Sequence, residues 1–183
     1  KLLGENPAQK WLNAAIAISS PLKLSECAKS INHGFSRVYQ KYLLNSIKTT
    51  LRKKMSFIDY RKLIQLTGDD VDGISSFAQF DEKVTAPLHG FEDANDYYEK
   101  CSAYHFLSAI HCPTLVLHSI DDPFMNHLVV PKEEELARNV TLELSERGGH
   151  VGFMQGSVFS PKVWLHERVK RYVSDVLPIC IFR

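Results

Sequence analysis

The sequence predicts an α/β fold with a mostly parallel sheet of about three strands and a helical insertion. Short apolar runs at residues 12–19, 114–117 and 140–144 have the length and composition of buried strands. Between the first two runs, apolar residues recur at steps of three and four, the spacing of an amphipathic helix. Strands separated by helical segments usually pair in parallel, because the helix returns the chain to the same end of the sheet.

The composition excludes several classes of protein. Hydrophobic residues make up 44% and charged residues 23% of the 183 residues, a balance typical of a globular domain. The 22 basic and 21 acidic residues leave a net charge of +1, so we expect no nucleic-acid partner and no binding to anionic membranes. The chain has no run of about 18 apolar residues, so the sequence predicts no membrane span in it.

The four cysteines follow no metal-binding or secretory pattern. Cys27, Cys101, Cys112 and Cys180 show no C-x-x-C spacing and no small disulfide framework. We therefore expect reduced thiols and a cytoplasmic protein. His118 could share a strand face with Cys112, but they would lie about 20 Å apart at roughly 3.3 Å per residue, too far to hold one ion. We expect neither a metal nor a cofactor.

The first residues have the pattern of a helix end. Leu2 and Leu3 precede Gly4, and glycine is the residue that most often follows the last turn of a helix. A chain that opens at a helix end is expected to have lost the residues before it. We therefore interpret the sequence as the carboxyl-terminal part of a larger protein.

Residues 25–100 predict a helical insertion between the first and second strands. The longest apolar stripe at helical spacing, which we expect to face the core, consists of Phe35, Val38, Tyr39, Tyr42, Leu43, Ile47 and Leu51. An insertion at the edge of a sheet commonly acts as a lid that excludes water and shapes the substrate cavity. Beyond the insertion we expect helices at residues 103–109, 133–138 and 164–177, and a long loop after Met154.

Polar residues follow the second and third predicted strands. The second strand is followed by Asp121, Asp122 and Pro123. The third strand is followed by a Gly-Gly turn that leads to His150. Neighbouring parallel strands present such turns at one sheet edge, where an aspartate can orient a catalytic histidine. Asp122, directly before the proline, is the preferred acid over Asp121. Each turn alone is also common without any catalytic role.

Six segments in a fixed order resemble the YheT-like branch of the α/β-hydrolase superfamily. They are KLLGE, AIAISSPLKLSECA, GFSRVYQKYLL, FDEKVTAPLHGF followed by DANDYY, PTLVLHSIDDPFM and ERGGHVGF. The resemblance covers nearly the whole chain. It implies the carboxyl-terminal part of an α/β-hydrolase fold, here residues 1–183, with residues 25–100 as the lid insertion.

The resemblance also implies a serine hydrolase of carboxylic esters. Asp122 would be the acid and His150 the base of a Ser-Asp-His triad, acting on a small-molecule ester such as an acyl lipid. The nucleophilic serine, in a G-x-S-x-G turn, would lie about eight residues before Lys1. We therefore expect this chain alone to be inactive.

A second interpretation belongs to another class of protein. The same fold could bind a ligand or a partner protein without catalysis, because a fold does not determine a function. A binding protein, however, has no need of both Asp122 and His150 in this order.

Overall fold

The computed structural model describes residues 1–157 and 159–177, so Cys180 lies outside the described part. The chain divides into two compact units. The sheet unit comprises residues 1–23 and the chain from Ser102 onward, and the helical unit comprises Leu24–Cys101. The helical unit occupies nearly the stretch predicted as an insertion, and its role as a lid stays a prediction.

The sheet unit contains the predicted three-stranded parallel sheet. Its strands are β1 (Ala15–Ile18), β2 (Thr114–Ser119) and β3 (Val140–Ser145), in the order β1-β2-β3. All six residues of β2 are buried, because this strand pairs on both sides and is covered on both faces. The predicted α/β class is confirmed, although β1 is shorter than the apolar run suggests.

The first helix of the sheet unit, α1 (Leu2–Glu5), corrects the expected glycine stop. Gly4 lies inside the helix, and Asn6 caps its end. A Cβ at Gly4 would lie 2.2 Å from the carbonyl oxygen of Phe106, in the 3₁₀ helix Ala103–Ala109. Glycine is therefore needed here for close backbone packing.

Two expectations about the segments that flank β3 are wrong. Residues 133–138 form only a short 3₁₀ turn, Glu133–Glu135, because the amide of Ala137 donates to the carbonyl of Leu107 instead of continuing a helix. The predicted long loop after Met154 contains an antiparallel pair, β4 (Met154–Ser157) and β5 (Ser160–Val163). The residues of both strands are exposed and carry no alternating apolar pattern, so no strand could be predicted here.

The carboxyl-terminal helix of the described chain, α2 (Trp164–Val176), agrees with the predicted one. It packs on the sheet unit through Tyr172, its buried residue. The guanidinium of Arg168 donates to the carboxylate of Glu143 on β3, with Nε lying 2.8 and 3.0 Å from the two oxygens. This ion pair connects the helix to the third strand.

The helical unit contains helices and turns but no strand. Its α-helices are Leu24–Ser30, Ser36–Met55, Tyr60–Ile64, Gly68–Gly73, Phe77–Phe80, Ala86–His89 and Ala94–Cys101, and a π-helical turn spans Asp81–Thr85. Its core consists of Leu44, Leu51, Tyr60, Leu66, Val71, Ile74 and Val84.

The longest helix, Ser36–Met55, turns a different face to the core than the apolar stripe predicts. Its buried residues are Ser36, Gln40, Leu44 and Leu51. Five members of the predicted stripe are exposed, namely Phe35, Val38, Tyr39, Tyr42 and Ile47. The buried Gln40 is stabilised by hydrogen bonds, because its amide oxygen accepts from the backbone of Phe77 and its nitrogen donates to Asn32.

Candidate active site

Two loops meet at the carboxyl edge of the sheet. One follows β2 and carries Asp121 and Asp122, and the other follows β3 and carries Gly148, Gly149 and His150. Because β2 and β3 are neighbours and parallel, their carboxyl ends open at the same edge. The strand pairing therefore brings together side chains that are far apart in the sequence.

Asp122 and His150, the two predicted catalytic residues, are in contact. Nδ1 of His150 lies 2.9 Å from Oδ2 of Asp122. The side chain of Asp122 is fully buried, whereas that of His150 is 34% exposed. An ionised carboxylate only accepts, so Nδ1 is the donor and Nε2 of the neutral ring is left as a proton acceptor.

The turn after β2 holds both partners in place. The second oxygen of Asp122, Oδ1, accepts a hydrogen bond of 2.9 Å from the amide of Phe124. The ring of Phe124 then packs edge-on against the imidazole of His150, with ring centroids 4.8 Å apart at 77°. The acid and the histidine ring are therefore both oriented by residues of the same turn.

Asp121 binds the histidine loop through its backbone. Its Oδ1 accepts from the amide of Gly148 at 2.9 Å and from that of Gly149 at 2.8 Å. The same oxygen accepts from the hydroxyl of Ser119. These hydrogen bonds, first that of Ser119, lower the pKa of the Asp121 carboxyl. Sequence reasoning gave Asp121 no role, although an aspartate pair opposite a Gly-Gly turn was the available signal.

The loop before and after His150 has little freedom. Gly149 has a φ of +56°, a conformation that glycine adopts without strain. The carbonyl of Gly148 accepts from the amides of Gly152 and Phe153, at 3.1 and 2.9 Å. Phe153 itself is buried. The loop is thus closed on itself directly beside the histidine.

His118 lies on the buried strand β2, four positions before Asp122. Its side chain is buried, and its Nε2 has no hydrogen-bond partner among the described residues. Burial lowers the pKa of His118, and the charge of Asp122 opposes that shift.

Cys112 is buried, and its Sγ lies 3.6 Å from the carbonyl oxygen of Leu12. No group of three His, Cys, Asp or Glu side chains within residues 1–157 and 159–177 is arranged to hold a metal.

Comparison with known proteins supports the family indicated by the motifs. The chain is 40% identical to the "Putative esterase YheT" of Escherichia coli (strain K12), over 91% of this chain and 48% of that protein. It is 28% identical to "Monoacylglycerol lipase ABHD2" of Danio rerio, over 96% of this chain and 44% of that protein. An "Abhydrolase domain-containing protein" of Dictyostelium discoideum is 30% identical, over 90% and 41% respectively. No family model and no solved structure matches the chain.

The fold, the strand-end loops and these likenesses define a class of protein. The chain belongs to the α/β-hydrolase superfamily. Within the superfamily it resembles the YheT-like branch. The chain spans less than half the length of these three relatives. Among its described residues, no helix is both long and apolar enough to cross a membrane.

Proposed function

We propose that the chain supplies the acid and the base of a Ser-Asp-His triad in a serine hydrolase that cleaves carboxylic esters. The observation that carries this proposal is the 2.9 Å contact between the buried carboxylate of Asp122 and the partly exposed imidazole of His150. A buried acid holds the ring in one tautomer, while the exposed ring can reach a substrate.

In this reaction Nε2 of His150 removes the proton from a serine hydroxyl as the serine oxygen attacks the ester carbonyl carbon. Asp122 stabilises the imidazolium that forms, and His150 returns the proton to the departing alcohol. An acyl-serine remains, and water releases the acid by the same steps. We propose that the nucleophile lies in a G-x-S-x-G turn before Lys1, because no serine of this chain stands in such a pattern.

The substrate class we propose is a small-molecule ester with an apolar acyl group, including acyl lipids. The printed names of the relatives, an esterase and a monoacylglycerol lipase, support this class. Exposed aromatic side chains of the helical unit, such as Phe35 and Tyr42, suit an apolar acyl chain if that unit serves as the lid. We also propose a cytoplasmic protein, since Cys101 and Cys112 are free thiols.

The test compares this chain with the product of the full coding sequence that contains it. We expect the longer protein to react with a fluorophosphonate probe and to hydrolyse a short p-nitrophenyl ester, and the 183 residues alone to do neither. His150→Ala in the longer protein should abolish both activities. A longer protein that folds but shows no labelling and no turnover would instead support a non-catalytic, ligand-binding role.

A further inference from the structure

We propose that Asp121 is a positioning residue, which fixes the histidine loop so that the imidazole of His150 meets Asp122. This inference rests on the proposed function, in which His150 is the base. Asp121 touches neither the substrate nor the imidazole in this role. It acts on the backbone that carries His150.

The backbone directly before His150 would be flexible without hydrogen bonds to hold it. Gly148 and Gly149 directly precede His150, and glycine has more backbone freedom than any other residue. A catalytic side chain must be held within about 0.5 Å and 10–20° of its working geometry. The hydrogen bond to Asp122 and the edge-on contact with Phe124 act on the imidazole ring of His150, and not on the backbone that carries it. A second attachment is needed to define the orientation.

Asp121 provides that second attachment. Its Oδ1 accepts from the amides of both glycines, at 2.9 and 2.8 Å. Asp121 and Asp122 are adjacent on one loop, and Gly149 and His150 are adjacent on the other. The two loops are therefore joined at two neighbouring points, one through the backbone and one through the imidazole. Such a pair of contacts restricts rotation, which either contact alone would allow.

The carboxylate that makes these contacts is itself held. The hydroxyl of Ser119, the last residue of β2, donates to the same oxygen of Asp121. Since Ser119 lies at the end of a fully buried strand, Asp121 connects the histidine loop to the rigid part of the sheet. The two adjacent aspartates therefore have different roles, because Asp122 binds the imidazole of His150 and Asp121 binds the backbone of the histidine loop.

The test measures this coupling by NMR, in the protein at its encoded length with ¹⁵N-labelled glycine and histidine. In the wild type we expect slow hydrogen exchange at the amides of Gly148 and Gly149, and a downfield resonance from the Nδ1 proton of His150. Asp121→Ala should speed exchange at both glycines about tenfold, the effect of losing one net hydrogen bond. It should also weaken or broaden the His150 resonance. Asp121→Asn, which keeps an acceptor oxygen, should restore part of both signals.

Asp93→Ala serves as the matched control, because Asp93 also accepts a backbone amide, that of Asp96 at 2.8 Å, but lies in the helical unit. This variant should leave the glycine exchange and the His150 resonance unchanged. If Asp121→Ala does not fold, Ser119→Ala replaces it, and smaller changes in the same direction are expected. A His150 resonance that stays intact while the glycine amides exchange faster would overturn the proposal and leave Asp121 a loop cap only.

The failure of this inference is distinguishable from the failure of the proposed function. Neither NMR signal requires a nucleophile or turnover. A protein that shows the coupling but does not react with fluorophosphonate would refute the hydrolase and retain the positioning of His150. In an active protein, Asp121→Ala should lower kcat with little change in KM, because the ring and not the substrate is displaced.

Discussion

The fully buried carboxylate of Asp122 accepts a hydrogen bond from a His150 ring that is one-third exposed. The acid is therefore withdrawn from solvent, whereas part of the histidine ring is accessible. This order of burial suits a histidine that exchanges protons with a bound substrate while its tautomer is fixed from behind.

Asp122→Asn tests that relationship directly. The amide keeps the size of the side chain but loses its charge and can donate to Nδ1, which favours the wrong tautomer of His150. By analogy with the serine-protease triad, we expect kcat of the full-length protein to fall by about 10⁴-fold. The rate of ester hydrolysis at saturating substrate measures kcat. The control is Asp175→Asn, which changes an exposed side chain of α2. Activity within a few-fold of the wild type would contradict the assigned role.

Gly148→Ala should destabilise the sheet unit. An added Cβ would lie 2.7 Å from Cδ1 of Phe153, whose buried ring has little room to move. We expect a loss of about 1–3 kcal/mol in the free energy of unfolding, measured by urea denaturation. Gly73→Ala is the matched control, since a Cβ there meets no atom within 4 Å and should change the stability little. Equal effects of the two substitutions would show that the contact with Phe153 is not tight.

The hydrogen bonds to Asp121 predict how the histidine loop responds to acid. They lower the pKa of this carboxyl in the folded protein, so their stabilisation is fully present above the unfolded value of about 3.9 and is lost as the pH falls through the lowered value. Ser119→Ala removes the largest cause, so Asp121 should protonate at a higher pH. Titration of the Asp121 carboxyl carbon by NMR measures this change. A titration unaffected by Ser119→Ala would contradict it.

His118 predicts a second dependence on pH, with the same sign. Burial lowers the pKa of His118 in the folded protein. Between the lowered and the unfolded pKa, His118 is therefore protonated in the unfolded chain but neutral in the folded protein. The free energy of unfolding should therefore decrease as the pH falls below the unfolded value of about 6.5, and the decrease should continue to the lowered value. His118→Leu should flatten this part of the stability profile. His166→Leu, on an exposed position of α2, should leave it unchanged.

The two residues proposed to be catalytic were singled out from local sequence patterns, and the family resemblance then implied their roles. One predicted strand ends at Asp-Asp-Pro, and the other ends shortly before Gly-Gly-His. Both turns can be recognised from these residues without knowing the fold. The role of Asp121 could not be identified in this way, because its partners Gly148 and Gly149 lie 27 and 28 residues further on. The same limit explains the error at residues 133–138, where a carbonyl from Leu107 ends the helix.

The sequence by itself determined the fold class, the three strands and the positions of Asp122 and His150, because these depend on apolar periodicity and on the restricted backbone of proline and glycine. The tertiary structure alone decided which face of the Ser36–Met55 helix is buried, where the antiparallel pair after Met154 forms, and which groups Asp121 binds. These features arise from hydrogen bonds and packing between distant segments, and the parallel register of β2 and β3 sets which atoms meet at the sheet edge.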